Sequence, residues 1–334
     1  MRSSLFFFLV ATLVGTLFFF GIRWVANDYL FFAGYTVLQF IVLATAWNIL
    51  GGYCGYVNFG SAAFFAVGAY SSVALHKLAV GVDRYFPESL VGLAKIILPL
   101  NIPTLIIFGG ICSGLIGLGT GYLTLRLRGA FFAIATLALA VVLQTLIVNW
   151  DFVGGSRGAY IIRPQTVPII GSYIQYLFLV MLLLAVVAVT AARMIERSRL
   201  GHGFAAIRDD EIAAEASGVP TLKLKIIATT ISGAFMGMAG APFPYYISFL
   251  QPSSAFALEY GMNAIAMPMV GGTGGWLGPV IGAVLLGTLQ QVATVTISSA
   301  VNLLIVGLIL IVFVVAAPNG ILGLLQAARR RLSR

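Results

Sequence analysis

Arg193–Lys225, RMIERSRLGHGFAAIRDDEIAAEASGVPTLKLK, is the one long polar interruption in an otherwise apolar chain. It holds six of the nineteen basic residues (Arg193, Arg197, Arg199, Arg208, Lys223, Lys225) and five of the ten acids (Glu196, Asp209, Asp210, Glu211, Glu215). The whole chain is 60% hydrophobic and 9% charged, with a mean hydropathy above +1. A soluble domain carries roughly 25% charged residues. The polar stretch is therefore the main aqueous segment of an all-α polytopic membrane protein.

Working outward, a helix needs about 20 apolar residues to cross the bilayer core. Ten segments come close: 5–22, 29–50, 57–75, 102–125, 129–150, 172–192, 226–247, 257–270, 276–297 and 301–317. The reading is about ten spans, with eight or nine as the lower counts. The eighth segment is short and contains Pro268, the mark of a broken or partly entering helix. The first has a basic start, is longer than a signal-peptide core and lacks an A-x-A-like cleavage site, so it is expected to stay as a span.

Placing both termini inside puts thirteen basic residues on the inner side: Arg2, Arg126, Arg128, the six of the polar stretch, and Arg329, Arg330, Arg331 and Arg334. Six fall outside: Arg23, Lys77, Arg84, Lys95, Arg157 and Arg163. That asymmetry follows the positive-inside rule and makes 193–225 cytoplasmic. The domain reading is one transmembrane domain, 1–325, carrying the cytoplasmic segment 193–225, with a basic tail at 326–334. Because the net charge of +9 is scattered between apolar runs, it reads as a topology signal and not as a nucleic-acid surface. The outer loops are too short for a ligand-binding domain; the first contains LVGLAKIILPL, which suits a short interfacial helix.

No enzyme constellation is present. His76 and His202 have no metal-ligand neighbours in sequence, and Cys54 and Cys112 have no metal or disulfide spacing. No metal or cofactor is implied. Outside the polar stretch the acids Asp28, Asp83, Glu88, Asp151 and Glu259 lie in loops or at span ends, which weakens a cation-coupled carrier without removing it. None of the four lysines follows a glycine, so the P-loop sequence is missing and any ATP-driven work must come from another chain.

Two glycine-rich corners share the pattern GGxxG plus an aromatic: Gly51-Gly52-Tyr53-Cys54-Gly55-Tyr56 and Gly271-Gly272-Thr273-Gly274-Gly275-Trp276. They either allow close helix packing or break helices so that backbone polar groups line a path. Asn58, Ser61, Gln144 and Asn263 are the candidate path residues, although buried amides also serve as hydrogen bonds between helices. In the polar stretch, a single helix is expected from Gly203, ending at Gly218 before Pro220. It would place Arg208, Glu211 and Glu215 on one face, suited to docking on a soluble protein. The alternative is a solvated loop with some helix.

These residues resemble a known family. SRLGHGFAAIRDDEIAAEASGV is similar to the coupling segment of LivM-type permeases, the membrane subunits of ABC importers for branched-chain amino acids. GYVNFGSAAFFAVGAY, LRLRGAFFAIATLALAVVLQTLIVNW, VGGTGGWLGPVIGA and PNGILGLL resemble further blocks, so that the likeness extends from about residue 50 to 325. The resemblance implies an inner-membrane location, a second related permease, two P-loop ATPase subunits, and a periplasmic or lipid-anchored binding protein that delivers a small-molecule substrate. Arg208, Asp209, Asp210, Glu211, Glu215 and Gly218 are the implied ATPase-coupling residues. Of the wider coupling pattern, Ala213, Ala214 and Gly218 match, while Ile212 replaces the usual Glu. Close relatives of such permeases carry urea or short amides, which stays open as the alternative substrate class.

Overall fold

A computed structural model describes residues 2–25, 27–87, 89, 91–92, 98, 101–124, 127, 129–162, 166–167, 171–296, 304, 307–308, 311 and 320–324. Hydrocarbon offers no partner for backbone N–H and C=O groups, so an apolar chain of this kind must bond them within helices. In chain order these are α1 (Arg2–Val25), α2 (Asp28–Gly51), α3 (Ser61–Val80), α4 (Val82–Tyr85), α5 (Ile102–Thr124), α6 (Ala130–Val148) and α7 (Tyr173–Glu196). They continue with α8 (Arg199–Asp209), α9 (Glu211–Ala216), α10 (Thr221–Gly240), α11 (Phe243–Ile247), α12 (Pro252–Ala255), α13 (Leu258–Gly271) and α14 (Leu277–Thr296).

Among the described residues eight helical stretches are long and apolar enough to cross a membrane: α1, α2, α3, α5, α6, α7, α10 continuing through α11, and α14. The chain is thus an all-α polytopic membrane protein. The eighth expected segment forms α13, only 14 residues with Pro268 inside. The tenth, 301–317, lies almost wholly outside the described residues, as do most of the expected interfacial helix at 90–100 and the tail 326–334.

Chain parity gives α13 its place. Four spans separate the end of α2 from the polar segment, so both lie on one side of the membrane. After α10 and α11 the chain has crossed over, yet the corner Gly271–Trp276 lies against the ends of α2 and α7 (described below). α13 therefore makes the return passage with about 21 Å of helix, short of a core about 30 Å thick.

The helices group into two compact units, 1–57 with 174–228 and 262–334, and 58–173 with 229–261. The second unit is built on close backbone approach. A Cβ on Gly68 would strike the backbone of Gly237, and one on Gly237 would come 2.6 Å from Gly109 O and 2.9 Å from Ser113 Oγ. The Ser113 hydroxyl is shared between Phe64 O at 3.0 Å and Gly233 O at 2.8 Å, joining α3, α5 and α10. At its loop end, β1 (Ala159–Tyr160) pairs antiparallel with β4 (Phe249–Leu250), and β2 (Thr166–Val167) with β3 (Gly171–Ser172). The first unit packs α2 against α14 and seals α1 to α2 and α7 with Phe19, Phe31 and Phe178, whose ring centroids lie 5.5 to 6.0 Å apart.

Candidate functional site

The polar stretch leaves α7 at Glu196 and forms α8 and α9, two helices where the sequence reading expected one. The break is at Asp210, whose extended backbone (φ −160°, ψ 109°) interrupts the turn while its carboxylate accepts from Ile212 N at 2.9 Å and Ala213 N at 3.0 Å. An aspartate competes well for such N-terminal N–H groups, and here it wins over helix continuity. The shared face of Arg208, Glu211 and Glu215 is lost as a result. The expected ending is present: Gly218 has φ +83°, its N–H donates to Glu215 O at 3.0 Å, and Val219 N donates to Ala214 O at 3.0 Å. This double bond pattern needs a left-handed residue, which glycine supplies without steric penalty.

The candidate charges divide in two. Asp209 is exposed and pairs with Arg208 at 3.1 Å, an interaction solvent screens heavily. Arg208 also reaches Gly52 O at 3.4 Å in the first glycine-rich corner, and Gly55, at φ +80°, leaves room for its stem. Glu215 is exposed on α9, and Ile212 beside it is 66% exposed. Glu211 instead turns inward, with 14% of its side chain exposed, and pairs with Lys225, 3% exposed, at 2.5 Å. Tyr56 closes a triangle: its hydroxyl donates to Glu211 Oε2 and accepts from Lys225 Nζ at 3.2 Å, while Nζ stands 4.8 Å from its ring centre.

A second acid ties the two corners to each other. Glu196 accepts from Trp276 N at 2.8 Å and from the Tyr53 hydroxyl at 3.4 Å. Asn48 Nδ2, at the end of α2, donates to Gly275 O at 3.2 Å. Burial and the neighbouring Glu196 charge push the Tyr53 phenol well above its ordinary range. Burial likewise pushes the adjacent Cys54 thiol up to about 12, so this cysteine is an inert packing residue.

The path candidates are dispersed. Asn58 and Ser61 are buried and work locally at the start of α3, where Asn58 Oδ1 accepts from Gly60 N at 2.8 Å and Ser61 Oγ donates to Asn58 O at 3.0 Å. Asn263 belongs to the other unit and accepts from Gln290 Nε2 at 2.8 Å, linking α13 to α14. Gln144 is half-buried on α6. His76, expected at a helix end, lies within α3 and bonds Tyr245 at 3.1 Å. Among the described residues no group of three His, Cys, Asp or Glu is placed to hold a metal ion.

Comparison with known proteins decides between the classes this geometry allows. Residues 29–314 match the family described as the permease component of the branched-chain amino acid transport system. The chain belongs to this family. It is accordingly the membrane permease component of an ABC importer, multi-pass in the inner membrane, and not a catalytic enzyme. The high-affinity branched-chain amino acid transport system permease proteins LivM of Salmonella typhimurium and of Escherichia coli are each 26% identical over 309 residues, covering 85% of this chain and 67% of theirs. The autoinducer 2 import system permease protein LsrC of Yersinia enterocolitica is 27% identical over 190 residues, 53% of this chain and 51% of that protein. No solved structure matches the chain.

Three residues of this permease escaped the sequence reading: Tyr56, Glu196 and Lys225. Lys225 carried a signal, since it stands five residues into a spanning helix, where a charge demands a partner. Tyr56 and Glu196 carried none beyond being a corner aromatic and a span-end acid.

Proposed function

We propose that this chain is one of two membrane halves of an importer that takes branched-chain or related amino acids inward. ATP hydrolysis on two P-loop subunits would supply the energy, and a periplasmic or lipid-anchored binding protein would deliver the substrate. Both termini are assigned to the cytoplasm, and 1–325 acts as one permease domain with 193–225 as its coupling segment and 326–334 as its tail. The observation that carries this reading is α9, a short helix in the polar segment between two spanning helices, on which Ile212 and Glu215 are exposed. Such a helix fits a groove on a soluble partner by one apolar anchor and a peripheral charge. Arg208, Asp209 and Glu215 would meet the ATPase surface, Asp210 and Gly218 would set the ends of the docking helix, and Asn58, Ser61, Gln144 and Asn263 would line the substrate path.

The test begins with purification of the tagged chain from native membranes in mild detergent and mass spectrometry of its companions. Two P-loop ATPases and a second permease are expected. Uptake of labelled leucine by the reconstituted assembly should then require ATP and be competed by valine and isoleucine. Competition by urea or acetamide alone would move the substrate to the amide class, and uptake that follows an ion gradient without ATP would overturn the importer reading.

A further inference from the structure

We infer that Tyr56, Glu211 and Lys225 form a latch that passes displacement of α9 to the spanning helices, with Lys225 as its positioning residue. The inference rests on the role proposed above for 193–225.

α9 has six residues, far fewer than a helix needs to persist alone. Its capping by Asp210 is local, and Ala214 is its one fully buried residue. Glu211 fastens it to the rest of the unit, its two carboxylate oxygens going to different segments, Oε1 to Lys225 on α10 and Oε2 to Tyr56 in the corner after α2. The third edge, Lys225 to Tyr56 at 3.2 Å, closes the triangle. No member of such a figure moves alone without opening a charge-assisted hydrogen bond away from water, where an unpaired charge is most costly. The Arg208–Asp209 pair is open to solvent and can be exchanged for water.

The attachment points matter as much as the bonds. Tyr56 lies one residue before Val57, and Lys225 three before Ala228, where their segments of the first unit end. Beyond those points the backbone runs directly into α3 and the remainder of α10. A pull on the outer face of α9 therefore reaches two places that lead covalently into spanning helices, through one carboxylate.

The experiment uses the complete importer, purified with its ATPase partners and reconstituted in vesicles. Tyr56→Phe, Glu211→Gln, Lys225→Met and Lys225→Arg are compared by ATPase recovered, ATP hydrolysed and substrate taken up. Tyr56→Phe and Glu211→Gln are expected to retain bound, hydrolysing ATPase while uptake per ATP falls roughly tenfold, a typical coupling factor. The double variant Glu211→Gln with Lys225→Met should fall no further than the worse single one, as members of one network do, and Lys225→Arg should restore most of the ratio. A purely structural role would lower the yield of folded protein and leave uptake per ATP unchanged. Should Lys225→Met fail to insert, Tyr56→Phe, which removes one hydroxyl, still reads the latch. Unaltered uptake per ATP in a normally assembled Tyr56→Phe and Glu211→Gln importer overturns the latch alone. Loss of ATPase binding in Glu211→Gln overturns it too, by making Glu211 a direct contact. Failure of the wild-type chain to bring down any ATPase sinks the coupling-segment reading itself.

Discussion

In the second unit, Gly68 and Gly237 bring two spanning helices into backbone contact, and the polar help nearby is one serine hydroxyl, Ser113. In the first unit, glycine-rich corners interrupt helices at 51–55 and 271–275, and the polar groups opened there are met by Arg208, Asn48 and Glu196. The same residue type thus serves two opposite ends. Between spans in lipid there is little hydrophobic drive, so contact depends on shape and a missing side chain is an advantage. Where a helix breaks, the freed N–H and C=O groups must find partners. Arg208 and Glu196 from the polar segment, together with Asn48 at the end of α2, provide them and become fixed to the corners in doing so.

The comparison is broken most directly at Lys225. Lys225→Met leaves the Glu211 carboxylate buried without its cation, and a loss of about 3–5 kcal/mol is expected, measured by unfolding in detergent. Adding Glu211→Gln should recover much of it, since the uncompensated charge is then gone. Next comes the seam of the second unit. Gly237→Leu drives a side chain into Gly109 O and Ser113, and overpacking of this kind costs about 1–3 kcal/mol; thermal unfolding and the yield of monodisperse protein would report it. If Gly237→Leu were harmless, the seam would not depend on backbone contact and the contrast between the units would fail.

Smaller effects sharpen the other side. Glu196→Gln keeps the shape but replaces a charged acceptor with a neutral one, a change of about 1 kcal/mol, with faster hydrogen exchange expected at Trp276 N–H. Asp210→Ala removes the cap of α9 and should cost about 1 kcal/mol, seen as exchange confined to residues 211–216. Exchange spreading into α10 would show that the two helices share one cooperative unit.

Much of the architecture was legible before any coordinates. Runs of about 20 apolar residues have few outlets besides spanning helices, and Gly218 before Pro220 announced the end of α9. The break at Asp210 was less legible. Most of the residues around it, Ala205, Ala206, Arg208, Glu211, Ala213 and Ala214, favour helix, and a cap competes only where the backbone has room to turn. Glu211 was legible as a charge but not in direction: nothing in IRDDEIAAEA separates the acid that faces Lys225 from the exposed Glu215.

The sequence alone determined which stretches are apolar enough to span, the membrane class and the family, because hydropathy and ordered motif blocks are properties of local stretches. Tertiary structure alone decided that Glu196 joins both corners and that Tyr56, Glu211 and Lys225 meet. Those residues are separated by 155 and 14 positions in their closest bonds to Glu211, and which charges face one another depends on how the helices between them pack.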